Sequence, residues 1–429
     1  MKPKVSLVIG VTAILVLLFL FTKRPSPTPE HPKVNGTNSI LKYQETRVSL
    51  KNCQVNFYME NSGSMDGYVN GTTEFKDVLG KMIVSSHHFC KGTGFYFVNN
   101  DVYQVNGAAI NFIQMLNPAK IKVGNVGSTD VNQIYRNILA HTNKDTISVL
   151  FSDCIYSVSN VTNELDNAKN ATTDAFLSAL SRDPSLASII LQFSSSFTGT
   201  YYDRNDQPYP CTSARPYYVV ITGNRNAVKQ LYLDFKITSL PGLRNKCFLS
   251  SESWTLNSSM ACSIISDYTN ARRIKANKQN FLDIDEIKLS RDLNMLQFGV
   301  GVDFSEIFID SSYITDPSNY FVKPSNYRVK SITAASASAI GDFSNAPKLP
   351  YAITIEVPIT SFAPKITIGL KKNIPSWVLN ANVDDDAGGI PSPYKSFAIK
   401  KMIEGIAAAY CTDYDSYFKL EININRYDR

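Results

Sequence analysis

The chain of 429 residues predicts an α/β fold. A doubly wound, mostly parallel sheet is expected over residues 48–236. A β-rich, sandwich-like region follows over 237–429 and closes with a terminal helix and strand. Three observations predict this. Short apolar runs alternate with segments of helical periodicity as far as about residue 236, the pattern of parallel strands joined by helical crossovers. Beyond about residue 240 the texture changes to β-rich runs separated by Asn-, Ser- and Pro-rich turns. Length and composition (44% apolar, 19% charged) suit two globular domains and not a disordered chain.

The elements follow in order. Val5 to Phe21 is a nearly unbroken apolar run, long enough with Thr22 to span most of a hydrocarbon core. Lys2 and Lys4 precede it, and Lys23 and Arg24 follow. No small-x-small cleavage site comes after it and no cysteine lies near it, so residues 1–22 read as an uncleaved transmembrane anchor rather than a signal peptide or lipoprotein leader. Residues 23–47, rich in Pro, Ser, Thr, Asn and Lys, read as a tether. Gln54 to Met59 predicts a strand. Glu74 to Val84 predicts a helix with Phe75, Val78, Leu79 and Met82 on one face. Gly94 to Val98 predicts a strand, with Asp101 to Val105 as its hairpin partner. Helices are expected at Ala109–Leu116, Val131–Ala140, Leu165–Leu180 and Ala227–Phe235, and strands at Thr146–Phe151, Leu186–Phe193 and Tyr217–Thr222. In the second region, Leu296–Phe308, Tyr351–Pro358 and Lys365–Leu370 read as strands, Tyr394–Ala409 as an amphipathic helix, and Tyr417–Ile424 as a final strand.

A net charge of +6, spread along the chain without a basic block, argues against a nucleic-acid partner. The seven cysteines form no C-x-x-C pair, which excludes a zinc ribbon or a thioredoxin motif. His87-His88 beside Cys90 lacks a fourth ligand and reads as a solvated helix end. Gly299-Val300-Gly301 lacks the third glycine of a dinucleotide loop. Asp384-Asp385-Asp386-Ala387-Gly388-Gly389 reads as a solvated turn more readily than as a Ca²⁺ loop, because its carboxylates do not alternate.

The chemistry concentrates at Val55-Asn56-Phe57-Tyr58-Met59-Glu60-Asn61-Ser62-Gly63-Ser64-Met65. Here an apolar strand runs into a carboxylate and two hydroxyls spaced i, i+2, i+4. An all-oxygen cluster of this kind suits Mg²⁺, Mn²⁺ or Ca²⁺. Two further segments fall where such a site needs them. Gly127-Ser128-Thr129-Asp130 opens a predicted helix, and Ser152-Asp153 ends a predicted strand. In α/β sheets, ligands gather at the carboxyl ends of strands near the topological switch point.

This order of three loops resembles the von Willebrand factor A-like family and its metal-ion-dependent adhesion site, over roughly residues 48–236. The resemblance implies that Ser62 and Ser64 bind a divalent metal directly, that Thr129 is the second-loop threonine, and that Asp153 is the third-loop aspartate acting through water. Glu60 stands at the first-loop aspartate position, one methylene longer, so its carboxyl has to retreat or bind differently. The resemblance also implies an open metal position that accepts a carboxylate from a protein partner. The expectation is therefore a non-enzymatic, membrane-anchored binding protein of the cell envelope. Its globular part would be periplasmic or extracellular, with Mg²⁺, Mn²⁺ or Ca²⁺ as cofactor. Two alternatives stand beside it: a metal-free scaffold in which Ser62, Ser64 and Thr129 only cap helices, and a metal-dependent hydrolase with Glu60 or Asp66 as base.

Overall fold

The computed structural model describes residues 48–124, 126, 131–155, 161–251, 262–277, 280, 282–305, 307–334, 349–411, 415–425 and 427–428. The expected anchor and tether lie outside these residues. Among the described residues, no helix is long and apolar enough to cross a membrane.

Seven strands, β1 (Gln54–Glu60), β2 (Gly92–Val98), β3 (Val102–Gln104), β4 (Thr146–Ser152), β5 (Leu186–Tyr202), β6 (Pro208–Asn224) and β7 (Leu243–Ser250), form one sheet in the order β3-β2-β1-β4-β6-β5-β7. β1 pairs in parallel with β2 on one side and β4 on the other. The remaining ladders, β2–β3, β4–β6, β6–β5 and β5–β7, are antiparallel. Strands β2, β1, β4 and β5 therefore point one way and β3, β6 and β7 the other. The sheet is mixed, with its parallel ladders in the middle.

Both faces are covered, as period-2 alternation requires. On one face Val55, Phe57 and Met59 of β1, Ile147, Val149 and Phe151 of β4 and Ile189 and Leu191 of β5 share a core. The helices α1 (Asp66–Val69), α2 (Glu74–Phe89) and α3 (Ala109–Gln114) contribute Val69, Phe75, Val78, Leu79, Met82, Ile83 and Phe112 to that core. The opposite face presents Tyr58, Leu150, Ile190 and Val220 to α4 (Val131–Ala140) and α5 (Val161–Arg182). Helix α6 (Arg225–Asp234) returns to the first face through Val228 and Leu231. The sequence spacing of α2 explains its seating: Phe75, Val78, Leu79, Met82 and Ile83 repeat at i, i+3, i+4, i+7 and i+8, and Thr73 caps the first turn by accepting from the Lys76 amide at 3.3 Å.

A second core follows. Strands β8 (Cys262–Ile265), β9 (Arg273–Ala276), β10 (Ile284–Lys288) and β11 (Met295–Val302) precede helix α7 (Ser311–Ile314). Then come β12 (Tyr320–Lys323), β13 (Arg328–Ala334), β14 (Tyr351–Pro358) and β15 (Lys365–Lys371). β8, β11, β13 and β14 form an antiparallel sheet in the order β13-β14-β11-β8, and β12 and β15 another in the order β12-β15-β18, where β18 is Ser416–Asn423; β9 and β10 pair antiparallel in a separate sheet, and the short β16 (Asn382–Val383) and β17 (Ser396–Phe397) pair in parallel. The inward faces of the first two sheets enclose Phe298, Val300, Ile353, Ile355, Ile366, Ile368, Phe418 and Leu420.

The chain does not stay in that second core. β7, which lies beyond the boundary drawn at residue 236, is an edge strand of the first sheet. Helices α8 (Trp377–Ala381) and α9 (Ile399–Tyr410) also return to it. On α9, Met402, Ile403 and Ile406 pack into the same core as Ala168, Ala175 and Phe176 of α5. Gly405 is required at that crossing, since a Cβ there would lie 2.8 Å from the Lys169 carbonyl oxygen. All of this belongs to one compact unit spanning residues 45–429.

Candidate metal centre at the carboxyl ends of the central strands

β1 is the strand at which the winding reverses: β2 follows on one side, β4 on the other. Crevices at this kind of switch point collect ligands. Glu60 is the last residue of β1, and Ser152-Asp153 ends the neighbouring β4. After Glu60 the chain is held by buried amides. Asn61 donates to the carbonyls of Ile121 and Val123, both at 2.8 Å, and Asn99 donates to Asn61 Oδ1 at 3.1 Å. Residues 63–65 then form a single 3-10 turn, in which the Met65 amide donates to the Ser62 carbonyl at 3.1 Å.

The hydroxyls do not cap that turn. Ser62 makes no side-chain capping bond. Its Oγ donates to Glu60 Oε1 at 2.7 Å, and Ser152 Oγ donates to Glu60 Oε2. Ser64 Oγ hydrogen-bonds Ser62 Oγ at 3.0 Å, and the Ser64 hydroxyl also favours the charged form of the Asp153 carboxylate. Asp153 Oδ1 also accepts from the Ile155 amide at 3.2 Å. Cys154, in the left-handed region with φ 57°, turns the chain sharply after Asp153 and donates its amide to Ser152 Oγ at 2.8 Å. A non-glycine residue in that conformation stores strain, and such strain gathers at functional loops.

Two carboxyls are thus buried side by side, with Glu60 1% and Asp153 2% exposed. Burial, then the charge of Asp153, pushes Glu60 up to about 8, against the pull of the Ser152 and Ser62 hydroxyls. Burial likewise raises Asp153, while Ser64 and the Ile155 amide oppose it. Arg215, 2% exposed, adds an opposing positive charge toward Asp153.

Arg215 comes from an unexpected extension. β5 and β6 were expected to span 186–193 and 217–222, but they pair continuously from Leu186↔Asn224 to Tyr202↔Pro208. Their last rungs with β7 and β4 are at Phe193 and Tyr218. The rest of the hairpin projects past the carboxyl ends of β1 and β4, because β5 runs in their direction. Its sequence hides it: Ser194-Ser195-Ser196 and Thr212-Ser213-Ala214-Arg215-Pro216 are polar and carry a proline, so no apolar alternation marks a strand. The Phe197 ring rests on Gly67, and the Tyr68 hydroxyl donates to the Pro216 carbonyl at 2.5 Å. The Arg215 guanidinium lies over the Tyr201 ring, 4.6 Å from its centre, and donates to the carbonyls of Pro391 at 2.8 Å and Lys395 at 3.3 Å.

The acidic turn at 384–389 is also tied in. Asp386 is buried and accepts from the Tyr201 hydroxyl and from the Arg204 amide at 3.1 Å, and the Gly388 amide donates to Asp203 at 3.0 Å. For Asp386 the reading as a solvated residue is therefore corrected; Asp385 fits it, with 61% of its side chain exposed. His87 and His88 are exposed at the end of α2, as expected.

Of the residues proposed from the sequence, Glu60, Ser62, Ser64 and Asp153 come together in one cluster. Thr129 lies outside the described residues. Asp66 pairs with Lys122 at 2.9 Å. Ser152 and Arg215 were missed. Ser152 was adjacent to a chosen residue and signalled by its place at the strand end. Arg215 carried no sequence signal, since only the hairpin extension brings it near. All seven cysteines are free thiols. Among the described residues, no group of three or more His, Cys, Asp or Glu side chains is arranged to hold a metal, so any ion here would depend on the serine hydroxyls. Comparisons with protein-family models, curated proteins and solved structures return no match.

Proposed function

We propose that the chain is a binding protein whose von Willebrand factor A-like half engages a carboxylate-bearing protein partner through a divalent cation at Ser62 and Ser64. The observation that carries this reading is the gathering of two serine hydroxyls and two buried carboxyls at the ends of adjacent strands. Ser62 Oγ donates to Glu60 Oε1 at 2.7 Å, and the Ser62 and Ser64 hydroxyls hydrogen-bond each other at 3.0 Å. A divalent cation would displace the hydrogen bond between the two hydroxyls and take both oxygens as ligands. Two hydroxyls beside two carboxyls make the all-oxygen donor set that a hard divalent cation prefers. A bound cation supplies an electrophilic position open to an incoming carboxylate.

Each Glu60 oxygen accepts one serine hydroxyl and keeps a further lone pair, so direct ligation by Glu60 stays open beside the role of orienting those serines. In that role it holds Ser62 and Ser152 and supplies charge from behind. This is how the extra methylene relative to aspartate is accommodated. The membrane anchor at residues 1–22 and an envelope location remain part of the proposal on the sequence argument alone.

The capping alternative is disfavoured by Ser62, which caps nothing. The hydrolase alternative gains no support at Asp66, whose Oδ2 is engaged by Lys122. Calorimetric titration of Mg²⁺ and Mn²⁺ into the full chain tests the proposal. Saturable binding, lost in a folded Ser62→Ala/Ser64→Ala variant, is expected. Binding of equal strength in that variant would overturn it.

A further inference from the structure

A cavity of about 240 Å³ lies between the two cores, walled by β7 and α8 on one side and by α7 and β18 on the other. Four distant segments converge on it, and junctions between packed units are where small-molecule sites tend to form. Its floor is an ion pair: Lys246 Nζ lies 2.7 Å from Asp310 Oδ1, with the Asp310 side chain 7% exposed. The other Asp310 oxygen accepts from the Ser312 amide at 3.2 Å and from the Ser312 hydroxyl. One wall is the half-buried Trp377, whose indole N–H donates to the Lys246 carbonyl at 2.9 Å and so fixes the ring plane. The rim carries Asn373 and Ser376, both exposed. Among the described residues, the Asn373 side-chain amide has no partner.

Size and charge narrow the occupant. The volume equals about eight waters at ~30 Å³ each and lies below the ~300–1,000 Å³ of drug-sized sites. One small ring fits. Lys246 opposes a cation, and Asp310 and Asp316 oppose an anion. A neutral molecule with several hydroxyls meets no like charge. It would find amide donors and acceptors at the rim and a fixed aromatic face for its C–H groups. We propose that this cavity binds a single neutral hydroxylated ring, a monosaccharide unit, stacked on Trp377 and hydrogen-bonded by Asn373. The site is independent of the cation site, so either can fail without the other.

The chain has two tryptophans, so a Trp254→Phe variant leaves Trp377 as the only indole reporter. The full chain carrying that change, in a detergent without a sugar headgroup, is titrated with glucose, galactose, mannose and N-acetylglucosamine, beside acetate and betaine. The expected result is a saturable change in Trp377 emission with at least one sugar in the millimolar range, weakened roughly tenfold or more by Asn373→Ala. Three results would overturn the proposal: no saturable response to any of the four sugars, a response to acetate or betaine instead, or sugar binding that Asn373→Ala leaves unchanged.

Discussion

A carboxyl group cut off from water keeps its charge only where hydrogen bonds or a cation replace the lost hydration. Glu60 has two serine hydroxyls for this purpose and a second carboxylate working against it. The consequence for metal-free protein is a definite pH slope. Folded Glu60 holds its proton up to about 8, against an ordinary value of 4.5. Between these values the unfolded chain binds fewer protons than the folded one, so stability falls as pH rises and levels off above about 8. Urea unfolding in the presence of a chelator should show a loss of a few kcal/mol across that window. Glu60→Gln should reduce the slope to the part that Asp153, also raised by burial, contributes, and an undiminished slope would mean the proton sits elsewhere. Glu60, Ser62, Ser64 and Asp153 were legible in the sequence because each lies at or just past the end of an apolar strand. Arg215 was not, because only the hairpin extension carries its charge within reach of Asp153.

Elements with strong periodicity were legible in the same way. α2 declared its buried face through Phe75, Val78, Leu79 and Met82, and β4 its burial through an apolar run. The outer half of the β5–β6 hairpin did not, since its residues pack against α1 and the serine loop rather than across a sheet face. For α9 the apolar stripe was readable but its destination was not: an amphipathic helix specifies that one face is covered, not by what. The structure places it on α5, with Gly405 against the Lys169 carbonyl and the Thr173 hydroxyl donating to the Gly405 carbonyl at 2.9 Å. Gly405→Ala gains helix propensity but forces the two helices apart, so a net destabilisation of about 1–3 kcal/mol is expected. Thermal unfolding measures it; an unchanged or raised midpoint would show that the crossing has slack.

At the scale of the whole molecule, the chain threads two cores more than once. β7 and α8–α9 belong with the first sheet, while β8 to β15 and β18 build the second. Local sequence texture registers the change near residue 240 but cannot show a later return, because that return is a matter of long-range pairing. The Lys246–Asp310 pair joins the two cores, with 23% and 7% of the side chains exposed. Removing one partner of such a pair leaves the other charge poorly solvated, so Asp310→Ala should cost about 3 kcal/mol. Lys246→Met combined with Asp310→Leu should recover much of that loss. Chemical denaturation of the single and double variants checks this, and a harmless Asp310→Ala would show that the pair does not hold the cores together.

Ser62 and Ser64 are proposed to present their oxygens to a divalent cation beside Glu60 and Asp153. Anomalous diffraction from crystals soaked in Mn²⁺ tests this most directly. The expected result is a single strong peak within bonding distance of both Oγ atoms, with Glu60 still hydrogen-bonded to Ser62 and Ser152. An absent peak, or manganese bound only at the acidic turn around Asp385, would contradict it.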